Sequence, residues 1–475
     1  VILPLLGFLV LPNLPLLFAG RSLNLICRGY ADLDYLLIGL LALFLPRAVT
    51  FVLLLLAIFA DFVQAACATY LFAPSEFVNS IRFGGMLSTT RAAVLAWTVV
   101  GVLLTCLLAA LCARRWSWRD RCIAAGELVL LLLLLPLLQA ITNHRRLGAV
   151  EESVAVTRMP SLSLIRKQRT YDRYERGERL AGMFAMPSAS AIAMGHLRDL
   201  TARNAAASPA AALPNFVQIL VESWGQAKDD ALRTALLAAY RDPRLVARYR
   251  VLEGTMPFEG PTTSGEAREL CQTHIGFNAA HGSVEQMQRC LPALLRGLGY
   301  QTLGVHGFKG AMFDRNVWYP QMGFQEVWFE DRLHGLGLPD CPGPFSGTCD
   351  AAVADWLSGR LEQPRAAPLF VHWVTLNSHL PVPVPAPLMH PASCYVSAET
   401  QKEPTLCAWY QLEAVVQDSV RKMALQRLDR PTIFVIVGDH APPFDRQGIR
   451  GRFSSTEVPY VILLPKAADG TASVR

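Results

Sequence analysis

Two carboxylates and three imidazoles stand at matching places along this chain, each at or within a few residues of the end of a short apolar run. Glu222 follows Phe216–Val221 in VESWG, and His306 follows Thr302–Val305 in VHG. His379 ends TLNSH after Leu369–Trp373, and Asp439 and His440 follow Thr432–Val437 in GDH. Asp, Glu and His are ligands suited to zinc or manganese. Taken singly each has a plainer reading, because a Glu at a strand end is usually a solvated cap and Asp-His is a common loop pair. The weight lies in several such residues coinciding at equivalent topological positions.

Those positions follow from the elements around them. Runs rich in Val and Ile at Phe216–Val221, Thr302–Val305, Leu369–Trp373, Thr432–Val437 and Tyr460–Leu464 alternate with helical patterns at 283–298, 350–362 and 406–428. That alternation predicts an α/β domain with a largely parallel sheet. In such sheets chemistry gathers at the carboxyl ends of the strands, where these polar groups fall.

The first part of the chain has a different composition. The sequence has 475 residues, 52% hydrophobic and 17% charged, and the apolar excess precedes about residue 142. Five apolar runs, at about 1–19, 31–46, 48–72, 92–113 and 121–142, read as candidate membrane spans. Pro46 breaks the second from the third. We expect three regions: a transmembrane domain over 1–142, a connector over 143–213 and a polar catalytic domain over 214–475. The chain does not begin with methionine, so residues are expected to precede Val1. A cleaved signal peptide is not expected, because further spans follow.

Arg114, Arg115, Arg119 and Arg121 crowd the loop between the fourth and fifth runs, and such density marks the cytoplasmic side. Everything after about residue 142 then lies outside. Arg47 agrees with that orientation, whereas Arg21, Arg28, Arg82, Arg91, Arg145 and Arg146 do not help it. Glu127 sits near the cytoplasmic end of the fifth run and reads as snorkelling to the interface. In the connector, Arg166–Arg179 is crowded with charges and tyrosines. It reads either as an amphipathic helix on the bilayer or as a solvated helix; residues 204–214 are alanine-rich.

Of eleven cysteines, six follow the apolar region as neighbours: Cys271 with Cys290, Cys341 with Cys349, and Cys394 with Cys407. An even set in an exported domain predicts disulfides, and short loops between neighbours are easily closed. The net charge of +6 is modest, and its arginines flank apolar runs. No regular basic and aromatic interleaving occurs, so a nucleic-acid partner is not expected.

In order, VESWG, a Thr-Thr-Ser-Gly-Glu segment, VHGFKGAMFDRNVWYPQMGF, TLNSH, VGDH and VPYVILLP cover about residues 215–465. This order resembles the alkaline phosphatase and sulfatase superfamily, and within it the membrane-anchored lipoteichoic acid synthases and the phosphoethanolamine or phosphoglycerol transferases. The resemblance implies an α/β/α catalytic domain behind a bundle of about five transmembrane helices, in a bacterial inner membrane, with the catalytic domain periplasmic. It implies one or two divalent ions held by Glu222, Asp439, His440 and a nucleophilic threonine in GPTTSGEAREL, and the histidines of the pocket lean toward zinc over manganese. Family members carry a glutamate four residues after the nucleophile. Glu266 lies four after Thr262 and three after Thr263, which favours Thr262 and leaves Thr263 as the other register. The same segment also reads as a capping box at a helix start, and a helix N-terminus favours a phosphate.

By the same resemblance Arg315 contacts a substrate phosphate, His306 and His379 line the pocket, and Phe313 stands where a relative carries tryptophan. His379 is the histidine assigned to catalysis. The implied reaction moves a phosphoethanolamine or phosphoglycerol group from a phospholipid donor to a glycan or lipid acceptor through a phospho-threonine. Transfer to water, or a non-catalytic envelope scaffold, are the other readings. No Cys/Ser-x-Pro-x-Arg motif of sulfate ester hydrolases occurs.

Overall fold

The computed structural model describes residues 8, 10–23, 31–69, 73–82, 89–112, 117–145, 157–181, 186–203, 213–273, 284–384, 394–444 and 446–466. Arg28, Arg114, Arg115, Arg146, Cys27 and residues 204–212 of the alanine-rich stretch lie outside them. The chain forms two compact units, Val1–Gly182 with Phe444–Gly451, and Met183–Pro443 with Arg452–Arg475.

The first unit is helical. Helices run over Asn13–Leu23, Leu33–Ala42, Arg47–Thr69, Pro74–Ile81, Thr89–Cys112, Trp118–Arg145 and Pro160–Ala181. The second and third are separated around Pro46, whose ring suits a first turn and not a helix interior. Among the described residues one helix, Arg47–Thr69, is long and apolar enough to cross a membrane; Leu33–Ala42 and Ala93–Ala109 are apolar but shorter. Leu56, Phe59, Leu104, Leu107, Leu130 and Leu133 are exposed. Asp61, within Arg47–Thr69, is buried and accepts a hydrogen bond from the Tyr35 hydroxyl at 2.9 Å. The helix Pro160–Ala181 is tied down near its start. Ser161 donates its N–H and hydroxyl to Asp34, and Lys167 Nζ donates to the Cys67 carbonyl at 2.6 Å.

The second unit is built on a sheet of seven strands. They are β1 Asn215–Val221, β2 Tyr249–Pro257, β3 Gln301–His306, β4 Glu326–Trp328, β5 Leu369–Val374, β6 Thr432–Gly438 and β7 Glu457–Pro465. Their order across the sheet is β2-β7-β6-β1-β5-β3-β4. Pairing is parallel from β6 through β1, β5 and β3 to β4, whereas β7 runs antiparallel to both β6 and β2. This is the mixed α/β unit with a largely parallel sheet that the apolar runs predict. The two strands the pattern misses, β2 and β4, lie at the sheet edges. β2 is mostly half-exposed and β4 is three residues long, so neither carries a continuous apolar run. Strands β1, β5 and β6 are buried throughout, which explains why they read clearly.

Helices Asp350–Glu362 and Pro404–Leu425 match the expected patterns, while the pattern at 283–298 divides into Val284–Met287 and Leu291–Gly297 around Cys290. All three expected disulfides are present.

Register explains how distant residues meet. Gly438 pairs with Val221 across β6 and β1, so Asp439 and Glu222 each stand one residue beyond a paired position on adjacent parallel strands. Gly438 must be glycine: a Cβ there would lie 2.0 Å from the Trp224 carbonyl oxygen. Gly438→Ala is expected to destabilise the fold by at least ~2 kcal/mol through overpacking against backbone, measured by denaturant unfolding of the detergent-purified protein.

Candidate metal centre

Past the paired ends of β1 and β6, Glu222 is 3% exposed and Asp439 1%. With His440 they form a buried group whose ligand atoms lie within 4.8 Å of one another. His440 Nε2 is 3.3 Å from Asp439 Oδ2 and 3.7 Å from Glu222 Oε1. The His440 Nδ1 contact is the Ala441 carbonyl oxygen at 3.0 Å. A carbonyl only accepts, so Nδ1 carries the hydrogen and Nε2 is left with the lone pair, as a metal ligand requires.

Hydrogen bonds account for three of the four carboxylate oxygens. Glu222 Oε1 accepts from the Ser223 hydroxyl at 2.8 Å, and Oε2 from the Thr262 hydroxyl at 3.0 Å. Asp439 Oδ1 accepts from the N–H of Ser223 at 2.7 Å and of His440 at 2.6 Å. Asp439 Oδ2 is buried with no hydrogen-bond partner. Burial, together with the Glu222 carboxylate, pushes the Asp439 carboxyl up to about 7. An orphaned buried oxygen between a second carboxylate and an imidazole lone pair fits a divalent cation, which would reverse that shift.

Thr262 opens the helix Thr262–Cys271, and the Gly265 Cα passes so close to Asp439 that a Cβ would meet its Cα and Cβ at 3.1 Å. The tight pass aligns the helix start with the carboxylates. Arg268 holds it there, donating to the Gly438 carbonyl at 2.7 Å and to Glu269 at 2.8 Å. The Thr263 hydroxyl, by contrast, is buried without a hydrogen-bond partner. The capping-box reading of this segment is corrected. The N-cap is Pro261, with no side-chain cap, and Glu266 faces Arg315 instead.

Arg315 is 1% exposed and gives Nε and Nη2 to Glu266 at 3.0 and 2.7 Å. Tyr319 donates its hydroxyl to the same carboxylate. Burial raises the Glu266 pKa, but Arg315 and His372 together outweigh it and hold the carboxyl down to about 2. The paired donors expected to grip a phosphate are thus committed to Glu266, leaving Nη1 outside that fork. Phe313 covers the guanidinium at 5.3 Å and, like Asp314, has left-handed backbone, at φ 56° and 54°.

His306 and His379 share the tautomer of His440. Nδ1 of His306 meets the Val374 carbonyl at 3.0 Å and Nδ1 of His379 the Leu380 carbonyl at 2.7 Å. Burial, with Arg315 adding to it, pulls His306 down to about 3, so it is neutral at physiological pH. The structure therefore brings Glu222, Thr262, Asp439 and His440 together and places His306 and His379 at and beyond the neighbouring strand ends.

Sequence reasoning passes over the residues that fix this arrangement. Thr375 accepts the Glu222 N–H at 2.9 Å, and Ser378 donates to the Glu222 carbonyl at 2.6 Å. Asp350 holds the loop carrying them by accepting from the N–H groups of Leu376 and Asn377 at 3.0 and 2.8 Å. Gln218 and His372, paired across β1 and β5, bond at 2.6 Å, and His372 Nε2 lies 3.6 Å from Glu266. Only TLNSH carried a visible signal; the others are polar residues inside apolar strands or at a helix start.

Glu413 on Pro404–Leu425 is fully buried, and neither oxygen has a hydrogen-bond partner. Burial raises its pKa well above 4.5, and the Asp439, Glu222 and Asp350 carboxylates add to the shift. The Ser378 hydroxyl nearby pulls the other way, but its hydrogen is committed to Glu222. A raised folded-state pKa contributes stability that is full below the unfolded value and lost as pH rises. In chelator-treated protein, Glu413→Gln is expected to unfold at higher temperature than wild type. The gap should widen between about pH 5 and 8, as thermal scans across that range would show.

Comparison with known proteins places these residues in a family. The sulfatase family model matches residues 214–472, which spans every residue of the centre. No curated protein sequence matches the chain. Solved structures with similar folds include the lipoteichoic acid synthase LtaP from Listeria monocytogenes, at 13% identity and TM-score 0.39, covering 55% of this chain and 68% of that one. Another is the Streptococcus pyogenes phosphoglycerol transferase GacH in complex with sn-glycerol-1-phosphate, at 14% identity and TM-score 0.38, covering 58% and 78%. A third is the zinc complex of the C-terminal periplasmic domain of EcEptC from Escherichia coli, at 12% identity and TM-score 0.31, covering 53% and 73%. On the extent of the family match and the buried centre it encloses, the chain belongs to the sulfatase family.

Proposed function

We propose that this protein transfers a phosphoethanolamine or phosphoglycerol group from a phospholipid to a glycan or lipid acceptor, with Thr262 as the nucleophile. The observation that carries the reading is the Thr262 hydroxyl, at the start of a helix and 3.0 Å from a carboxylate oxygen of the Glu222, Asp439 and His440 group. Thr263 has no such neighbour. A divalent ion held by Glu222, Asp439, His440 and Thr262 would lower the hydroxyl pKa and polarise a phosphoryl oxygen. The mix of imidazole and carboxylate ligands favours zinc over manganese.

The chain's own residues supply the remaining steps. The Thr262 hydroxyl gives its proton to Glu222 Oε2, to which it is hydrogen-bonded, and Oγ bonds to phosphorus as the bond to the diacylglycerol oxygen breaks, leaving phospho-Thr262. His379 in its doubly protonated form passes the Nε2 proton to the departing alkoxide, and regains one from the acceptor hydroxyl when that oxygen attacks phosphorus and frees Thr262, whose oxygen takes its proton back from Glu222. His306, held neutral by burial, binds rather than donates protons. Arg315 sets one wall through Nη1, its other donors pinned by Glu266. The N-terminal N–H groups of Thr262–Cys271 favour the added phosphate charge.

A lipid donor suits a membrane anchor. The helix Arg47–Thr69 and the exposed leucines of the first unit support a multi-pass anchor of about five spans in a bacterial inner membrane. The three disulfides support a catalytic unit in the oxidising periplasm. A hydrolase would use the same residues with water as acceptor.

Incubation of the purified protein with head-group-labelled phosphatidylethanolamine or phosphatidylglycerol and zinc should release diacylglycerol and label Thr262. Thr262→Ala should abolish labelling, lowering turnover by about 1,000-fold or more, while Thr263→Ala retains the label. Label that survives Thr262→Ala and vanishes in Thr263→Ala would contradict the assignment. Diacylglycerol release that continues past one equivalent per enzyme with no glycan or lipid acceptor present would instead indicate the hydrolase.

A further inference from the structure

Ser223 has no part in the chemistry above, yet it touches both acidic residues of the centre. It is fully buried, and its backbone is left-handed at φ 60°. A left-handed conformation is disfavoured for a residue with a side chain, and it persists only where the surroundings impose it. Here the turn sends the N–H to Asp439 Oδ1 at 2.7 Å, while the hydroxyl reaches back to Glu222 Oε1 at 2.8 Å. The two carboxylates come from different strands, and a single residue donates to both.

The consequence is a choice of oxygens. Ser223 and Thr262 hold the two oxygens of Glu222, Ser223 and the His440 N–H hold Oδ1 of Asp439, and Asp439 Oδ2 remains facing His440 Nε2 at 3.3 Å. We propose that Ser223 is a positioning residue that orients Glu222 and Asp439 for a divalent cation, and that its left-handed backbone is retained for that purpose. This rests on the reading of Glu222, Asp439 and His440 as cation holders. Unlike Thr262, Ser223 acts on the carboxylates rather than on a substrate. A hydrogen-bond partner of this kind sets the rotamer of a ligand before the ion arrives, so its loss is felt in affinity.

The strained backbone gives the test a control. Glycine adopts φ 60° without penalty, so Ser223→Gly keeps the N–H donor, loses the hydroxyl and relieves the strain. Ser223→Ala loses the same hydroxyl and keeps the strain. Full-length protein in detergent would be stripped of metal and titrated with zinc in competition with a chromophoric chelator, with thermal unfolding measured alongside. Both variants are expected to bind zinc about 10–100-fold more weakly than wild type, and metal-free Ser223→Gly to melt at or above the wild-type temperature. Weaker binding by a variant that is no less stable cannot come from a damaged fold. Zinc affinity within about twofold of wild type in Ser223→Gly would overturn the proposal and leave the cation reading intact. Failure of wild type itself to bind zinc or manganese would overturn both.

Discussion

Two carboxylates share one buried space at the ends of adjacent strands, and the rest of the catalytic unit is arranged around that. Two like charges about 4 Å apart repel by ~4 kcal/mol even at the screening typical of a protein surface. Glu222 and Asp439 are nearly sealed from water, and the Asp439 carboxyl is raised to about 7 as a result. A fold keeps such a pair when something of opposite charge is to sit between them. The surrounding donors fit that purpose: they come from Ser223, Thr262 and His440, and they leave Oδ2 of Asp439 unsatisfied. A site that was only structural would gain stability by satisfying that oxygen as well.

The helix Thr262–Cys271 is the second fixed part. Its start carries Thr262 to the carboxylates, its middle carries Glu266 to Arg315, and its end is stitched by Arg268 to the end of β6. From Glu269 a buried hydrogen-bonded chain runs through Ser190 and Gln218 to His372, which lies beside Glu266. Each bond in that chain fixes the orientation of the next. The Ser190 hydroxyl hydrogen goes to Glu269, so the Gln218 amide nitrogen must face Ser190 and its oxygen must face His372 Nδ1. Networks of this kind are costly when incomplete and rigid when complete. The hydrogen-bonded chain ends at His372, whose Nε2 lies 3.6 Å from Glu266 without a hydrogen bond, and Thr262 and the Arg315 guanidinium are tied together through the helix that carries Thr262, Glu266 and Glu269.

Much of this was legible in the amino-acid order, and for physical reasons. The central strands are buried on both faces and read as continuous apolar runs, so the residues that follow them were found by position alone. Glu222, Asp439 and His440 emerged that way, and so did the neighbouring disulfide pairs. Edge strands β2 and β4 were missed because half-exposed strands carry no such run. Ser223 was missed because its importance lies in a backbone angle, and Gln218 and His372 because single polar residues inside apolar strands have no local pattern. The role of Glu266 was misread. Its place three residues after Thr263 fits a local cap, whereas its partner is Arg315, 49 residues away. A pattern read along the chain does not show which distant charge will neutralise a buried one.

The most direct test of the central claim is anomalous scattering from crystals of the protein grown with zinc or manganese. A single cation should lie at about 2.0–2.2 Å from oxygen or nitrogen atoms of Glu222, Asp439 and His440, with Thr262 Oγ turned toward it. A cation bound elsewhere in the catalytic unit, with these three side chains ligating nothing in fully loaded crystals, would contradict the account.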